Sequence, residues 1–473
     1  MKDLMNTAKP ITPSTDAIPP DRDWVVAATA QAGHTRTIQD AIDHCSAGGG
    51  GRVILRAGLH PSGTLVLRSG VTLHLEKDAT LLASADLADY VHKEGTPTGL
   101  IFADQAQDIG LTGEGTIDGN GKAFRVKHEK PADWVEGKKP MGIWIPSFST
   151  GSRPRALALI LLSECRNVRM ENLRVQDSTR WTIHLLACSD VLVRGLTVRS
   201  AVDTPNGDGF DLDGCSRVLM EDCDIETSDD AICLKTSRTW GLDRPCRDIT
   251  VRRCRAFSTT HGFCIGHETQ DPFANIEVSD VQIGGWGGFR TLTGIGLGSI
   301  DGATIQGVRL SNIHMTDVVA PFQIRLSSEC RTYRGHAAAT SYLDKKMHQR
   351  PPGELRDIAI EDITVTGATG NSFLSGLPGL PLHNLSLRNL RVQWSEAADP
   401  ARIMNTVPEL ESEYPRDPMW RFLPAYGFFC RHIRGLELTN VTLTAVPGES
   451  RPALLIKDVG PFTCQNFQAI EPN

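Results

Sequence analysis

The chain has 473 residues, a formal net charge of −7 and a pI of about 6.1. Because no basic block stands out, nucleic acid and anionic membranes are excluded as first candidates for partners. A chain of this length normally divides into several cores, unless it folds as a solenoid in which each coil packs only on its neighbours.

The amino-terminal segment contains no apolar run behind a basic start, which a secretory leader requires. We expect residues 1–20 to be disordered and the protein to be cytoplasmic, or periplasmic or secreted if a leader has been removed. The twelve cysteines show no spacing typical of a zinc site or a secreted disulfide framework, and no apolar stretch is long enough to span a membrane. We expect reduced thiols, no metal, no cofactor and no membrane association.

A short amphipathic helix is predicted from Thr37 to Cys45, where apolar residues recur at helical spacing. These residues are Ile38, Ala41, Ile42 and Cys45. A glycine run ends the helix and the strand RVILRAG follows. Because such a helix would cover the exposed strand edges of a first coil, we assign residues 21–60 to a cap and residues 21–473 to one domain.

Nine segments share one pattern, in which two period-two strands meet at a single intervening position. The segments begin at Asn167, Asp190, Arg217, Asp248, Asn275, Gly307, Asp357, Asn384 and Gly435. The intervening positions hold Asn172, Gly195, Asp222, Arg253, Asp280, Asn312, Asp362, Asn389 and Asn440. Apart from Arg253, these residue types tolerate a left-handed backbone, so the stacked bends predict an all-β fold, a parallel β-helix.

The stretch from Pro205 to Ser237 concentrates aspartates. Asp208 precedes the pair Asp229 and Asp230 by 229 − 208 = 21 residues, close to one coil of roughly 20 residues. We expect Asp208 and Asp229 side by side on successive coils about 4.8 Å apart, where repulsion keeps one of them protonated near neutral pH. A protonated acid beside ionised ones is what glycoside hydrolysis requires.

The pair at 229 and 230 also requires a bend, since consecutive residues of a regular strand point to opposite faces. Thr227 and Ser228 precede the pair and would allow that bend. For Asp211 and Asp213 we favour turn-capping or calcium binding, because aspartates are common in turns.

The motifs NGDGFDLDGC, SDDAICLK and HGFCIGHE occur in an order that resembles glycoside hydrolase family 28, the polygalacturonase family. The resemblance extends from about Asp21 to about Arg325. It implies a single-domain right-handed parallel β-helix and hydrolysis with inversion, acting on pectin-derived or related oligosaccharides or polysaccharides. An intracellular location would favour cleavage from a chain end.

The resemblance also implies roles for individual residues. Asp229 is the general acid, Asp208 and Asp230 activate the attacking water, and His261 hydrogen-bonds the acids and tunes their protonation. The substrate-binding candidates are Asn206, Lys235, His267, Glu268, Arg290 and Arg325.

One motif departs from the family pattern. Polygalacturonases carry Arg-Ile-Lys after the His-Gly coil, and the matching segment here, Gly294 to Ser299, has neither cation. Either Arg290 or Arg325 supplies the charge from another coil, or the sugar at that subsite is neutral.

Three segments, 120–155, 319–354 and 395–431, exceed a regular coil, and we expect them to form long loops that wall a cleft. Aromatic residues in these segments, or directly before the third, either stack on sugar rings or anchor the loops, and the sequence favours neither. These residues are Trp134, Trp144, Tyr333, Trp394, Tyr414 and Trp420.

Two other classes of function compete with hydrolysis. A β-helix polysaccharide lyase or uronate epimerase would use Lys or Arg as a base, often with calcium. A non-catalytic carbohydrate-binding β-helix would release its oligosaccharide uncleaved.

Overall fold

The computed structural model describes residues 22–29, 34–127, 150–152, 154–330, 351–413, 419–420 and 422–471. Within these residues the helix α1 spans His34–Ala47. The strands of the first half are β1 (Asp23–Val26), β2 (Gly51–Leu55), β3 (Gly58–Ser62), β4 (Leu65–Val66), β5 (Val71–Leu75), β6 (Ala79–Ala83), β7 (His92–Lys93), β8 (Thr96–Pro97), β9 (Ile101–Asp104), β10 (Gln107–Gly113), β11 (Thr116–Asp118), β12 (Arg125–Lys127), β13 (Thr150–Ser152), β14 (Ala158–Ser163), β15 (Arg166–Glu171), β16 (Arg174–Gln176), β17 (Trp181–Leu186), β18 (Ser189–Arg194) and β19 (Thr197–Arg199). The strands that follow are β20 (Phe210–Asp213), β21 (Ser216–Glu221), β22 (Asp224–Thr227), β23 (Ile232–Thr236), β24 (Cys246–Arg252), β25 (Arg255–Ser258), β26 (His261–Thr269), β27 (Phe273–Gly284), β28 (Thr291–Ser299), β29 (Thr304–Thr316), β30 (Val318–Leu326), β31 (Glu354–Ala368), β32 (Ser372–Ser375), β33 (Leu382–Trp394), β34 (Phe428–Thr444), β35 (Leu454–Val459) and β36 (Phe462–Ile470).

The strands of the 32-stranded sheet pair in parallel from coil to coil, as a β-helix requires, and the all-β prediction is confirmed. Two short pairs outside this sheet, β7–β8 and β12–β13, are antiparallel. The parallel pairs form three ladders. Ladder 1 includes β15, β18, β21 and β24, ladder 2 includes β16, β19, β22 and β25, and ladder 3 includes β14, β17, β20, β23, β26, β28 and β30. From β27 onward a single long strand runs through the bend between ladders 1 and 2.

The predicted column of bends is confirmed at all nine positions. Their φ angles lie between 50° at Asn312 and 64° at Gly195, and Arg253 has a φ of 52°. Side-chain amides connect this column from coil to coil, since Asn440 Nδ2 donates to Asn389 Oδ1 at 2.9 Å and Asn389 Nδ2 donates to Asp362 Oδ1 at 2.8 Å. Arg253 occupies the same conformation while its guanidinium binds Asp222 of the preceding coil.

Replacing Asn389 by Gly and by Ala separates backbone conformation from the amide ladder, because both changes remove the same side-chain bonds. Asn389 has a φ of 54°, and a left-handed conformation costs roughly 1–2 kcal/mol for a residue with a Cβ atom. We expect the Ala variant to be less stable than the Gly variant by about 1 kcal/mol, after allowing for the greater entropy of unfolded glycine. Urea unfolding of both variants measures the difference, and equal stabilities would contradict the assignment.

The interior of the helix holds one continuous apolar cluster that runs from Val26 to Ala453. Helix α1 packs Ile38, Ile42 and Cys45 onto its first coils, which confirms the predicted helix and extends it at both ends. The inward-facing Cys223 and Cys254 are buried in the same cluster. No helix among the described residues has the length and apolar character needed to cross a bilayer.

Two of the aromatic residues that were predicted without a preferred role are anchors. Trp394 is the last residue of β33 and is buried, and its Nε1 donates to Gly370 O at 2.7 Å. Trp420 is buried edge-on against Phe373. Trp134, Trp144, Tyr333 and Tyr414 lie outside the described residues, as do residues 1–20.

Candidate active site

The acids predicted to be catalytic lie where ladder 3 begins on successive coils. Phe210 of β20 pairs with Ile232 of β23, and Gly209 N donates to Asp230 O at 2.8 Å. The coil is therefore 232 − 210 = 22 residues long, and Asp208 stands beside Asp230. The expected side-by-side placement of Asp208 and Asp229 is wrong by one residue, because the segment between the strands is one residue longer than the sequence estimate.

Glycines on either side of Asp208 allow the chain to approach the next coil closely. A Cβ atom at Gly209 would lie 2.5 Å from Ala231 O, and one at Gly207 would lie 2.4 Å from the hydroxyls of Ser200 and Ser228. Both distances are far inside van der Waals contact, so the NGDG motif is a packing requirement that places the carboxylate.

The backbone bends between β22 and β23, as the consecutive pair of acids required. β22 ends at Thr227 and β23 begins at Ile232, so Asp229 and Asp230 lie in the corner. Thr260 Oγ1 on the next coil donates to Asp229 Oδ1 at 3.0 Å and lies 2.9 Å from Asp230 Oδ1. Both carboxyl groups therefore face the same side of the helix.

Asp230 is the ionised member of this pair. Burial alone would raise its pKa, but the charge and hydrogen bond of His261 and the charge of Lys235 lower the pKa well below its usual range. His261 Nδ1 lies 2.7 Å from Asp230 Oδ1, and Cys264 Sγ donates to Asp230 Oδ2 at 3.3 Å. The predicted hydrogen bond from His261 to the acids is present.

Asp229 is the protonated member. Burial, followed by the negative charges of Asp208 and Asp230, raises its pKa well above the usual range. It is also the most exposed of the three acids, since Asp208 and Asp230 are buried and Asp229 is half-buried. A proton donor that reaches the surface between two ionisable carboxyls can transfer its proton to a bound ligand.

Lys235 is buried among three carboxyl groups on the outer face of ladder 3. Its Nζ lies 3.4 Å from Asp208 Oδ2, 3.2 Å from Asp211 Oδ1 and 3.3 Å from Glu268 Oε2. Burial would lower the pKa of Lys235, but Asp211, Glu268 and Asp208 raise it well above the usual value, so the amine stays charged.

One cation does not neutralise three carboxylates, and burial decides which carboxyl keeps a proton. Asp211 is fully buried, which raises its pKa well above the usual range. Burial also raises the pKa of Asp208, Lys235 opposes this, and the result is about 6. Asp208 is therefore a carboxylate at neutral pH.

The expectation that Asp211 and Asp213 cap turns is wrong. Both are buried within strand β20 and point to its outer face. Asp213 accepts from His184 Nε2 at 3.1 Å and from Ser237 Oγ at 2.5 Å, which keeps it ionised. Asp211 contacts Lys235 and Asp213 binds His184, so both aspartates stabilise side chains around the catalytic acids.

Two substrate-binding candidates border the acids. The ring of His267 lies 5.4 Å from the ring of His261, in an edge-on arrangement. Asn206 is exposed next to Asp208, and its Oδ1 accepts from Arg155 Nη2 at 3.0 Å.

Arg290 and Arg325 are not brought to the acids. Arg290 Nη1 donates to Gly367 O at 2.7 Å and lies 3.3 Å from Asp317 Oδ1. Arg325 is buried, with its guanidinium 4.7 Å from the ring centre of Trp420 and donating to Leu410 O. Arg290 therefore binds the end of β31 and Arg325 binds a loop, and the expectation that either replaces the missing cations is not supported by the geometry.

Two cations near the acids were not found from the sequence. Arg155 and Arg180 both act electrostatically on Asp208 or respond to it. Arg180 was identifiable in principle, because it precedes Trp181, which lies in ladder 3 one coil before Asp208. The strand register that places Arg180 one coil before Asp208 requires a coil of 27 residues between Ile183 and Phe210. Because coil lengths along the chain are irregular, the sequence does not give that number.

Three potential metal ligands, one of them Asp230, lie close together. The side-chain ligand atoms of Asp230, Cys233 and Cys264 are all within 4.8 Å of one another. Each has a partner in the chain, since Cys264 donates to Asp230 and Cys233 Sγ donates to Gly266 O at 2.8 Å. Burial raises the pKa of both thiols, so these residues pack as neutral thiols.

Comparison with protein families gives a match to the model for glycosyl hydrolases family 28 over residues 57–373. A protein from Vitis vinifera named probable polygalacturonase is 25% identical over 392 residues, which cover 77% of this chain and 72% of the relative. An endo-polygalacturonase from Pectobacterium parmentieri is 28% identical over 306 residues, covering 61% of this chain and 71% of the relative.

Solved structures share the fold. The family 28 exopolygalacturonase of Yersinia enterocolitica superposes with a TM-score of 0.66 at 19% identity, covering 94% of this chain and 78% of that one. An exopolygalacturonase from Thermotoga maritima superposes with a TM-score of 0.59 at 19% identity, covering 80% and 88%.

Proposed function

This chain belongs to family 28 of the glycosyl hydrolases, and we propose that it hydrolyses pectin-derived oligosaccharides or polysaccharides with inversion, using Asp229 as general acid. The observation that carries the proposal is the pairing of a protonated Asp229 with an ionised Asp230, both facing Thr260, beside Asp208 on the preceding coil. An inverting glycosidase needs this combination of an acid and carboxylates that hold water.

The reaction is a single displacement. Asp229 gives its proton to the glycosidic oxygen as the bond to the anomeric carbon breaks. A water held by Asp208 and Asp230 attacks that carbon from the opposite face and loses a proton to one of the two carboxylates. His261 keeps Asp230 ionised, and Lys235 keeps the pKa of Asp208 low enough for it to act as a base near neutral pH.

Cleavage from a chain end is part of the proposal. The two solved structures described above are exopolygalacturonases, which makes this the mode to test first. Product sizes during partial digestion separate the modes, because end cleavage releases one short product throughout and midchain cleavage gives a spread of lengths.

Charge distribution argues against a lyase or an epimerase. These enzymes use Lys or Arg as the base that abstracts a proton beside a carboxylate. The candidate base in contact with the acids of this site is Lys235. Because Lys235 is buried and its pKa is raised by three surrounding carboxyl groups, it holds its proton and does not serve as a base. The fold alone does not decide the question, since a mannuronan C-5 epimerase module from Azotobacter vinelandii superposes with a TM-score of 0.50 at 13% identity.

The proposed function is tested by digesting defined pectic oligosaccharides and analysing the products. Hydrolysis with inversion gives new reducing ends of inverted anomeric configuration, detected by proton NMR before mutarotation. Products that absorb in the ultraviolet would show a lyase, and recovery of intact, bound oligosaccharide would show a binding protein.

The protonation states predict a bell-shaped dependence of kcat/KM on pH. Asp208, with a pKa of about 6, must be ionised, so kcat/KM should fall about tenfold per pH unit below 6. On the alkaline side kcat/KM should fall as Asp229 loses its proton, since its pKa is raised well above the usual range. Circular dichroism over the same pH range separates titration from unfolding, and a flat profile down to pH 4 would contradict the assignment.

A further inference from the structure

Two arginines, Arg155 and Arg180, lie on the amino-terminal side of the acids. Arg180 immediately precedes β17, whose Ile183 pairs with Phe210 of β20, so it lies one coil before the Asp208 corner. Arg155 Nη1 donates to Thr179 O at 2.6 Å and to Pro205 O at 2.5 Å. Arg155 is therefore bound to the segment directly before Arg180 and to the segment before Asp208, on successive coils.

The two arginines differ in how fully they are engaged. Arg155 uses its donors on two backbone carbonyls and on Asn206 Oδ1. Arg180 is half-buried, its guanidinium lies 5.1 Å from the ring centre of Trp181, and its buried Nε has no hydrogen-bond partner. An unsatisfied buried donor costs about 1–3 kcal/mol, which a ligand that supplies an acceptor would recover.

The charges around Arg180 favour an anion at this point. Burial, followed by the neighbouring charge of Arg180, lowers the pKa of Arg155 to about 10, while Asp208 and Asp229 act in the opposite direction. Two guanidinium groups that repel each other are stabilised by a shared anion. A planar guanidinium also matches a carboxylate, with two parallel N–H···O bonds.

We propose that Arg180, supported by Arg155, binds the carboxylate of a uronic acid residue that lies over Asp208 and Asp229. The inference rests on the proposed function, because it places a sugar of the substrate in the same groove. In this proposal the acidic sugar is recognised by a coil that precedes the catalytic acids. The family pattern instead places its two cations after the acids, at the segment that is Gly294 to Ser299 here and has neither cation. The substrate class is then a uronate-containing chain.

The test is a calorimetric comparison of two probes in the Asp229→Asn background, where cleavage is suppressed. The probes are trigalacturonate and the same trisaccharide with its carboxyl groups reduced to alcohols. Adding Arg180→Ala should weaken binding of trigalacturonate by about 10- to 100-fold, as expected for a lost hydrogen bond to a charged group, and leave the neutral probe unchanged within about threefold. Arg180→Lys should fall between, because lysine keeps the charge and loses the planar fork.

A matched control is Arg174→Ala, which removes the same charge from the same coil. Arg174 is exposed on β16 and its Nε donates to Gln176 Oε1 at 2.6 Å, so binding of both probes should be unaffected. Thermal unfolding of each variant checks that the fold persists.

The inference is overturned if Arg180→Ala behaves like the control, if both probes lose affinity equally, or if trigalacturonate does not bind. Its failure is distinct from failure of the proposed function. Cleavage of trigalacturonate by the unmodified protein, without dependence on Arg180, removes only the inference. Arg180-dependent binding without cleavage supports the carboxylate site and removes the hydrolase proposal.

Discussion

Replacing Asp229 by Asn is expected to reduce kcat by about 10²- to 10⁴-fold or more while substrate binding and the fold persist. The amide has the size of the carboxyl group and still accepts the hydrogen bond from Thr260, but it has no proton to give to the leaving oxygen. The loss therefore falls on the chemical step. Reducing-end release measures kcat, and calorimetry with trigalacturonate measures binding.

The leaving group makes the test specific for a proton donor. An aryl galacturonide with an acidic phenol as leaving group needs little protonation, so Asp229→Asn should impair its cleavage much less than cleavage of a sugar–sugar bond. Asp222→Asn is the matched control, because it makes the same chemical change at an exposed bend position where other coils carry Asn. Turnover of Asp229→Asn within tenfold of the unmodified protein would rule out its role as the acid.

Replacing Lys235 by Met is expected to lower the free energy of unfolding by about 3–5 kcal/mol. The change leaves Asp208, Asp211 and Glu268 buried without the cation that lies within 3.4 Å of each. Removing one partner of a buried charge cluster is costly because the remaining charges stay out of water. Urea unfolding at neutral pH measures the loss.

Two further variants identify the cause of that loss. Asp208→Asn added to Lys235→Met should recover part of the stability, since Asp208 is ionised at neutral pH and the change removes the charge that Lys235 balances. Lys457→Met is the surface control, because Lys457 is exposed and 4.0 Å from its nearest acidic partner, and an exposed pair contributes about 0–1 kcal/mol. A loss below about 1 kcal/mol for Lys235→Met, equal to the control, would mean that the cluster is not held by charge.

Much of the fold followed from the order of residues along the chain. The left-handed bends at Asn172, Asn389 and Asn440 are local, since they depend on the conformations that one residue type tolerates. Helix α1 was also local, because its apolar spacing and the glycine run behind it are contained in one short segment. The acidic motifs themselves were visible, and so was the need for a bend beside Asp229.

The sequence did not show which side chains of the site contact one another. Asp208 lies beside Asp229 if the coil has 21 residues and beside Asp230 if it has 22. One extra residue in the bend between two strands leaves the alternation of apolar residues in the strands unchanged, so the sequence does not reveal it. Arg290 and Arg325 were plausible cations by position, yet their guanidinium groups donate to the backbone carbonyls of Gly367 and Leu410. Arg180 lies one coil before Asp208 instead.

The residue pattern alone was enough to predict stacked parallel coils and three neighbouring aspartates, because turn conformations and strand alternation are local properties. Which carboxyl keeps its proton, and which cation contacts Asp208, became clear only from the packing of one coil on the next. Those outcomes depend on burial and on distances of 2.7 to 3.4 Å between coils, which are set by side chains some thirty residues apart in the chain.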